Sequence, residues 1–429
     1  MREVSKIERP FTWRLSMKKT LTLGVAALTV SSAALSQTAA PTVELYGIAD
    51  AGVMRVSGLK GGSANFVASG IMEGTRWGLR GNEDLGGGYR ALFTLESRVE
   101  IDTGGTSNRP LSGTQLPDRV SVATLMGLPA SLQPFVTAVG SSIANASAGV
   151  NLPNRLFDRQ AYLGLVTPGG GILAGRMYTP AYELNANFDI MKTESSLAAG
   201  QVGSFPPTID IRLSNSLAYR IQAAGFTGSV MYSLGEIPGS NSKGRFWGAM
   251  GMYKGAGYSA GLAYNTRNNE LGSKSLTTAI GGVSVNIGGG ALNFMAADIK
   301  DNNPSDLSTI AASLPASVGQ PVQNAFINAL KLDGLLLHVG YRHVMGANTI
   351  SVAYTQYDDK RPNNADTASY GVAYTYALSK RTDINAILTR FNNSGLGQSA
   401  PGQAGFFGGV TETAGRDSTS LALGLRHRF

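Results

Sequence analysis

The stretch Ser418–Phe429, S-T-S-L-A-L-G-L-R-H-R-F, alternates without a break up to its last residue. Successive side chains of an extended strand point to opposite faces, so Leu421, Leu423, Leu425 and Phe429 share one side and Ala422, Gly424, Arg426 and Arg428 the other. One face is apolar and the other is polar or small. An aromatic final residue with no polar tail behind it predicts the closing strand of an antiparallel β-barrel that crosses a membrane.

The same scheme recurs upstream. Val43 to Met54 sets Val43, Leu45, Gly47, Ala49, Ala51 and Val53 against Glu44, Tyr46, Ile48, Asp50 and Gly52. Phe226 to Leu234, Tyr258 to Asn265, Thr277 to Ile287, Leu335 to Tyr341, Ile350 to Tyr354 and Tyr370 to Leu378 repeat it, while Asp158 to Val166 and Arg245 to Tyr253 alternate less cleanly. No run of 18 apolar residues follows the N-terminal region, which excludes helical spans.

Connections alternate between tight and long. The tight ones are Gly81–Gly88, Pro168–Gly171, Ala223–Gly225, Gly255–Gly257, Gly288–Gly290, Gly346–Ala347 and Ser379–Arg381, mostly glycine turn chemistry. The long ones are Gly58–Ile71, Asp102–Phe157, Pro180–Ser214, Gly235–Gly244, Arg267–Lys274, Lys300–Asp333, Asp358–Asp366 and Asn392–Asp417. Short turns at one rim and long loops at the other predict an all-β transmembrane barrel of about 16 strands. Within the long loops, Val322, Phe326, Ile327 and Leu330 predict one face of a short helix over Val322–Leu332, packed on the loop crown.

Composition agrees with one large sheet. Glycine, 55 of 429 residues, stands well above an average usage of about 7% and follows no collagen period. Cysteine is absent, which rules out disulfides, thiolate metal ligands and a cysteine nucleophile. The formal charge of +8 includes six Lys/Arg and two acids before residue 37, and the rest is scattered, so a nucleic-acid partner is not expected. Met17-Lys18-Lys19 and the apolar stretch Thr20–Leu35 predict an export signal over 1–36 that starts at Met17 and is cut after Ser36, leaving a barrel domain over 37–429.

Nothing in the sequence supports catalysis, a metal centre or a cofactor. His338 and His343, five apart on one strand, face opposite sides, and His427 faces outward. Metalloprotease, nucleophile-elbow and phosphate-loop spacings are all missing. The chemistry-bearing pattern is charge on the lumen face: Arg76, Arg80, Glu96, Arg98 and Glu100 on inward positions, Arg159 and Arg176 nearby, and a third long loop carrying Glu183, Asp189, Glu194 and Asp210, with Arg212 at its exit. Acids on a loop opposite basic walls would set up a transverse field across a narrow pore.

The motifs V-E-L-Y-G-I-A-D (Val43–Asp50), R-W-G-L-R-G-N-E-D-L-G-G-G (Arg76–Gly88), F-T-L-E (Phe93–Glu96), D-R-Q-A-Y-L-G-L (Asp158–Leu165), A-G-R-M-Y-T-P-A-Y (Ala174–Tyr182), A-L-S-K-R-T-D (Ala377–Asp383) and G-L-R-H-R-F (Gly424–Phe429) resemble, in order, the general porins of β-proteobacteria, the family of the Burkholderia, Bordetella and Neisseria porins. That resemblance implies a 16-stranded homotrimer in the outer membrane, passing small hydrophilic solutes and inorganic ions through a pore narrowed by the third loop. It implies a basic wall of Arg76, Arg159 and Arg212, with Arg176 beside them, and an anion preference. It also implies Phe429 as an assembly signal for the barrel assembly machinery, and lipid and lipopolysaccharide as surroundings. The third loop departs from the usual wording over Asn185–Pro207, so its acids rest on their own positions. The rival readings are a substrate-specific channel, a barrel enzyme and an adhesin.

Overall fold

In a computed structural model of the chain, residues 42–203, 205–362, 364–403 and 407–429 are described. The export signal expected over 1–36 lies outside them. The described strands are β1 (Thr42–Leu59), β2 (Gly62–Ser69), β3 (Arg76–Gly86), β4 (Tyr89–Arg98), β5 (Gln160–Thr167), β6 (Gly170–Tyr178), β7 (Arg212–Ala223), β8 (Phe226–Ser233), β9 (Phe246–Lys254), β10 (Tyr258–Asn268), β11 (Lys274–Ile287), β12 (Gly290–Asp301), β13 (Leu332–Met345), β14 (Asn348–Asp359), β15 (Thr367–Ala377), β16 (Thr382–Asn393), β17 (Ser399–Gln403), β18 (Phe407–Val410) and β19 (Ser418–Arg428). All but the β17–β18 hairpin join one antiparallel sheet. Because β2 and β3 lie end to end along one side of β1, the sheet has 16 lanes.

The sheet closes where its two ends meet. The other side of β1 pairs with β19 over Ile48↔Arg428 to Val56↔Ser420, and Gly47 and Phe429 exchange both backbone hydrogen bonds at 3.1 Å. Leu421, Leu423 and Leu425 are exposed on the outside while Ala422, Gly424 and Arg426 are buried inside, as the alternation requires. Among the described residues no helix is long and apolar enough to cross a membrane. The barrel crosses with strands.

The expected long loop Gly58–Ile71 is instead a hairpin. A two-residue turn at Lys60-Gly61 joins β1 to β2, with Gly61 and Gly62 in the left-handed region that a side chain would resist. The interruption falls later, at residues 70–75, between β2 and β3. Here the Asp50 carboxylate accepts hydrogen bonds from the amides of Ile71, Met72 and Glu73 at 2.9, 3.0 and 2.7 Å and folds the segment inward. The expected helix over Val322–Leu332 is longer and lies earlier, Ala316–Leu330, with Pro321 inside it. Val322, Phe326 and Leu330 are buried and Ile327 packs beside them. This helix, called α3, meets Gln133–Ser147 (α1) of the second long loop, and Arg119 donates to the Ala329 carbonyl at the end of α3 at 3.1 Å.

The core lies inside the barrel. The third loop starts with a helix, Pro180–Phe188 (α2), capped by the Thr179 hydroxyl, which accepts from the Tyr182 amide. The loop then runs across the lumen. Its apolar side packs on inward residues of the far wall, such as Met295, Ile299 and Leu336, and further on against Met54, Ala353 and Ile387. Glycines on the wall make this close approach possible: a Cβ on Gly282 would sit 2.3 Å from the Phe188 ring, and one on Gly261 would sit 2.6 Å from Leu184. Gly282→Val is therefore expected to lift α2 off the wall, at a cost of about 1–3 kcal/mol of overpacking. Single-channel recording should show a changed conductance, and an unaltered one would mean that the helix is not seated by this contact.

Candidate functional site

The wall charges form a connected ladder across the lumen. Arg76, at the start of β3, donates to Glu73 at 2.6 Å and lies 3.8 Å from both Glu96 and Glu194. Glu96, on β4, accepts from Arg159 at 2.8 Å and from the Tyr46 hydroxyl at 3.1 Å. The Tyr178 hydroxyl at the end of β6 then accepts from both Arg159 and Arg212 at 3.0 Å. The Arg212 guanidinium lies over the Tyr178 ring, 4.6 Å from its centroid. Tyr178 stacks on Tyr182 of α2 with a centroid distance of 4.8 Å, so the ladder reaches from wall to loop.

Arg76, Arg159 and Arg212 are thus brought together. Arg176 stands beside the ladder, donating to the Asp158 carbonyl at 2.6 Å and to Ser214 at 3.1 Å. The loop acids are dispersed. Glu194 reaches the ladder, where it accepts from the Gly74 amide at 3.1 Å and faces Arg76. Glu183 pairs with Arg220 lower in the lumen. Asp210 pairs with Arg267 at 3.2 Å. Asp189 does not face the open lumen: it is buried and accepts from the amides of Met191, Thr193 and Ala199 at 2.9, 3.1 and 2.8 Å, tying a turn of the loop. Burial pushes the Asp189 carboxyl up, against the pull of His338 and those amides. Burial likewise raises Glu183, opposed by Arg220. His338 faces inward and its Nε2 accepts from the Ile190 amide at 3.1 Å, anchoring the same turn.

Several members of the ladder are not singled out by sequence pattern. Glu73 is one, carried into the lumen by the inward fold at residues 70–75; besides Arg76 it takes Arg426 at 2.9 Å and Arg428 at 3.1 Å. Asp383 receives the same two arginines at 2.9 and 3.0 Å. Tyr178 and Tyr182 are others. The signal that could have exposed Glu73 is the loss of alternation in S-G-I-M-E-G-T, where Gly70 and Gly74 flank the acid. Arg98 belongs to a neighbouring buried group with Glu100 at 3.0 Å and Asp158 at 3.7 Å.

A small void of about 20 Å³ lies between Arg98, Arg159 and Arg212 on the wall side and Tyr182 and Glu194 on the loop side, room for about one water molecule. A chamber of about 920 Å³ shares Tyr182 and Glu194 with it and extends from Tyr178 to the turn at Pro168–Gly171. The ladder and the loop residues facing it form a charged eyelet, and such an arrangement can select small solutes by charge.

A family model described as Gram-negative porin matches residues 21–396. The chain is similar to outer membrane porin protein 32 of Delftia acidovorans, with 26% identity over 96% of this chain and 100% of that one. An outer membrane porin protein of Bordetella pertussis is 25% identical over 96% of this chain and 100% of its own length. Among solved structures, an anion-selective porin from Comamonas acidovorans aligns with a TM-score of 0.66 and 21% identity, covering 91% of this chain and 100% of that chain. The trimer form of OmpT from Vibrio cholerae aligns at 0.56 and 12%, covering 91% and 100%. At these identities the structural likenesses speak to the fold.

Proposed function

Because the chain belongs to the Gram-negative porin family and forms a passive diffusion channel of the outer membrane, we propose that its pore prefers small anions. One observation carries this reading. The carboxylates that reach the eyelet and the chamber are each held by a guanidinium: Glu73 and Glu194 by Arg76, Glu96 by Arg159, Glu183 by Arg220. Arg90 and Lys192 line the chamber, and Arg212 the void beside the ladder, with no carboxylate within ion-pair distance among the described residues, although Arg212 also acts on Glu96 from farther off. Unneutralised cations in a confined, poorly screened space attract anions and repel cations.

Reversal potentials across a bilayer separating two KCl concentrations test the proposal, and a cation preference would overturn it. Any preference set by these charges should shrink as salt rises toward about 1 M, where the Debye length falls to about 3 Å. The residues before 37 serve in this reading as an export signal. The barrel assembly machinery and lipopolysaccharide are its partners in the envelope. No catalytic role is proposed.

We place the trimer contact on the outer face of β19 and β1. Gly47, Ala49, Ala51, Leu421 and Leu423 take the outward parity there, a small-residue surface with the Phe429 ring over Gly47 at its end, which lets walls pack closely. The outer faces from β8 to β15 instead carry Phe226, Trp247, Tyr258, Phe294, Tyr354 and Tyr374, the aromatic belt expected against lipid. Unheated detergent gels should show a trimer that heating dissociates; a monomer under mild conditions would refute the assignment.

A further inference from the structure

The lumen of a water-filled barrel is expected to be polar. Most inward apolar residues here obey that rule indirectly, because the third loop covers them. One strip is only partly covered. Leu92, Tyr162 and Met252, from β4, β5 and β9, are half-buried and line the chamber, with Leu173 of β6 and Met250 of β9 buried beside them. Gly164 lies between two of them, and a Cβ there would sit 2.3 Å from Leu173 and 2.9 Å from Leu92, so this part of the wall is closed by leucine side chains. The strip runs up to the stacked pair Tyr178–Tyr182.

The chamber also carries charge. Lys192, on the third loop, is exposed to it, and Arg90 reaches it from β4. Arg220 also lines it, paired with Glu183, and its Nε–H is buried without a hydrogen-bond acceptor. An apolar wall beside free cations suits a solute that is anionic at one end and apolar at the other. Chloride or acetate would use only the cations and leave the strip wetted.

We propose that the chamber is a binding site for organic monoanions with a flat apolar body, aromatic carboxylates above all. The ring lies along Leu92, Tyr162 and Met252, and the carboxylate meets Lys192 or Arg90. This deepens the anion reading and rests on it. The consequence is a channel that passes inorganic ions by diffusion but holds such solutes briefly, so that their flux saturates.

The test uses the full-length protein in planar bilayers, with sodium benzoate or sodium acetate added to both sides during single-channel recording in KCl. Benzoate should reduce the current in a saturable way, at roughly one-tenth of the acetate concentration needed for the same reduction, from the apolar contact of the ring. In the double variant Leu92→Asn, Met252→Gln, the benzoate-to-acetate ratio, normalised to that variant's own KCl current, should collapse toward one. Lys192→Met, an exposed loop position that leaves the barrel wall intact, should weaken block by both anions, and keeps the test open if the double variant does not assemble. Equal effects of benzoate and acetate on the wild type, or undiminished benzoate block in both variants, would overturn the proposal. A wild-type pore that prefers chloride in KCl yet fails to separate benzoate from acetate would sink this inference alone, whereas a cation preference would sink the anion reading beneath it.

Discussion

Changing Arg76, Arg159 and Arg212 together to serine should turn an anion-preferring pore into a cation-preferring one. Three guanidinium groups leave the eyelet while Glu194 remains on the loop side with its paired cation removed. Glu96 loses Arg159 and Arg76 as well, and Glu73 keeps only Arg426 and Arg428. A unit charge about 8 Å from the path contributes on the order of 2 kcal/mol at an effective dielectric of about 20, before screening. The chloride-to-potassium permeability ratio should therefore fall by tenfold or more, where about 1.4 kcal/mol corresponds to tenfold. Glu194→Gln should move it the other way. Reversal potentials in a KCl gradient read both, and an unchanged ratio in the triple variant would show that selectivity is set elsewhere in the lumen.

The second large effect is expected at the other end of the problem, in assembly. Deleting Phe429 removes two backbone hydrogen bonds to Gly47 and the ring that lies on it, where a Cβ would be 2.3 Å from the Phe429 ring. The hydrogen bonds amount to about 1–3 kcal/mol, a small part of what holds a closed sheet of this size. If Phe429 is mainly read by the assembly machinery, loss from the outer membrane should be far larger than that figure predicts, while barrels that do insert conduct normally. Quantifying the protein in outer-membrane fractions, alongside conductance of purified trimers, separates the two roles. Normal outer-membrane levels of the shortened chain would show that Phe429 is only a closing contact.

The wall of the barrel could be read from the sequence because membrane strands are under a two-valued constraint, lipid on one side and lumen on the other. Leu421 to Leu425 and Phe226 to Leu234 obey it and fall where alternation places them. Arg76 was legible for the same reason, since a charge on the lipid face is costly, whereas Arg159 and Arg212 were expected from the motif resemblance. What alternation cannot reveal is contact across the lumen. Asp189 reads as another loop acid, and only the turn it ties shows why it is buried. Glu73 sits in a segment that leaves the sheet, so its parity says nothing about its direction. The glycines at 261 and 282 look like ordinary strand glycines until Leu184 and Phe188 are seen seated on them. Helix α3 begins six residues before the apolar face Val322, Phe326, Ile327 and Leu330 that marked it, with Pro321 tolerated inside the helix.

The pairing of β1 with β19 fixes the timing of folding. Asp50 lies opposite Arg426 in the ladder, so two of the most distant parts of the polypeptide must meet before either strand has both neighbours. Contacts of such long sequence separation form slowly, because the entropy of closing the loop is lost before any of them is gained. Until they form, β1 and the last strand completed are both open edges, able to pair with any other extended chain. The ring cannot close before β19 has been made, although interior strands can already pair with both neighbours. Synthesis, export and ring closure are therefore separate events, and in the interval between them the chain depends on whatever shields its two unpaired edges.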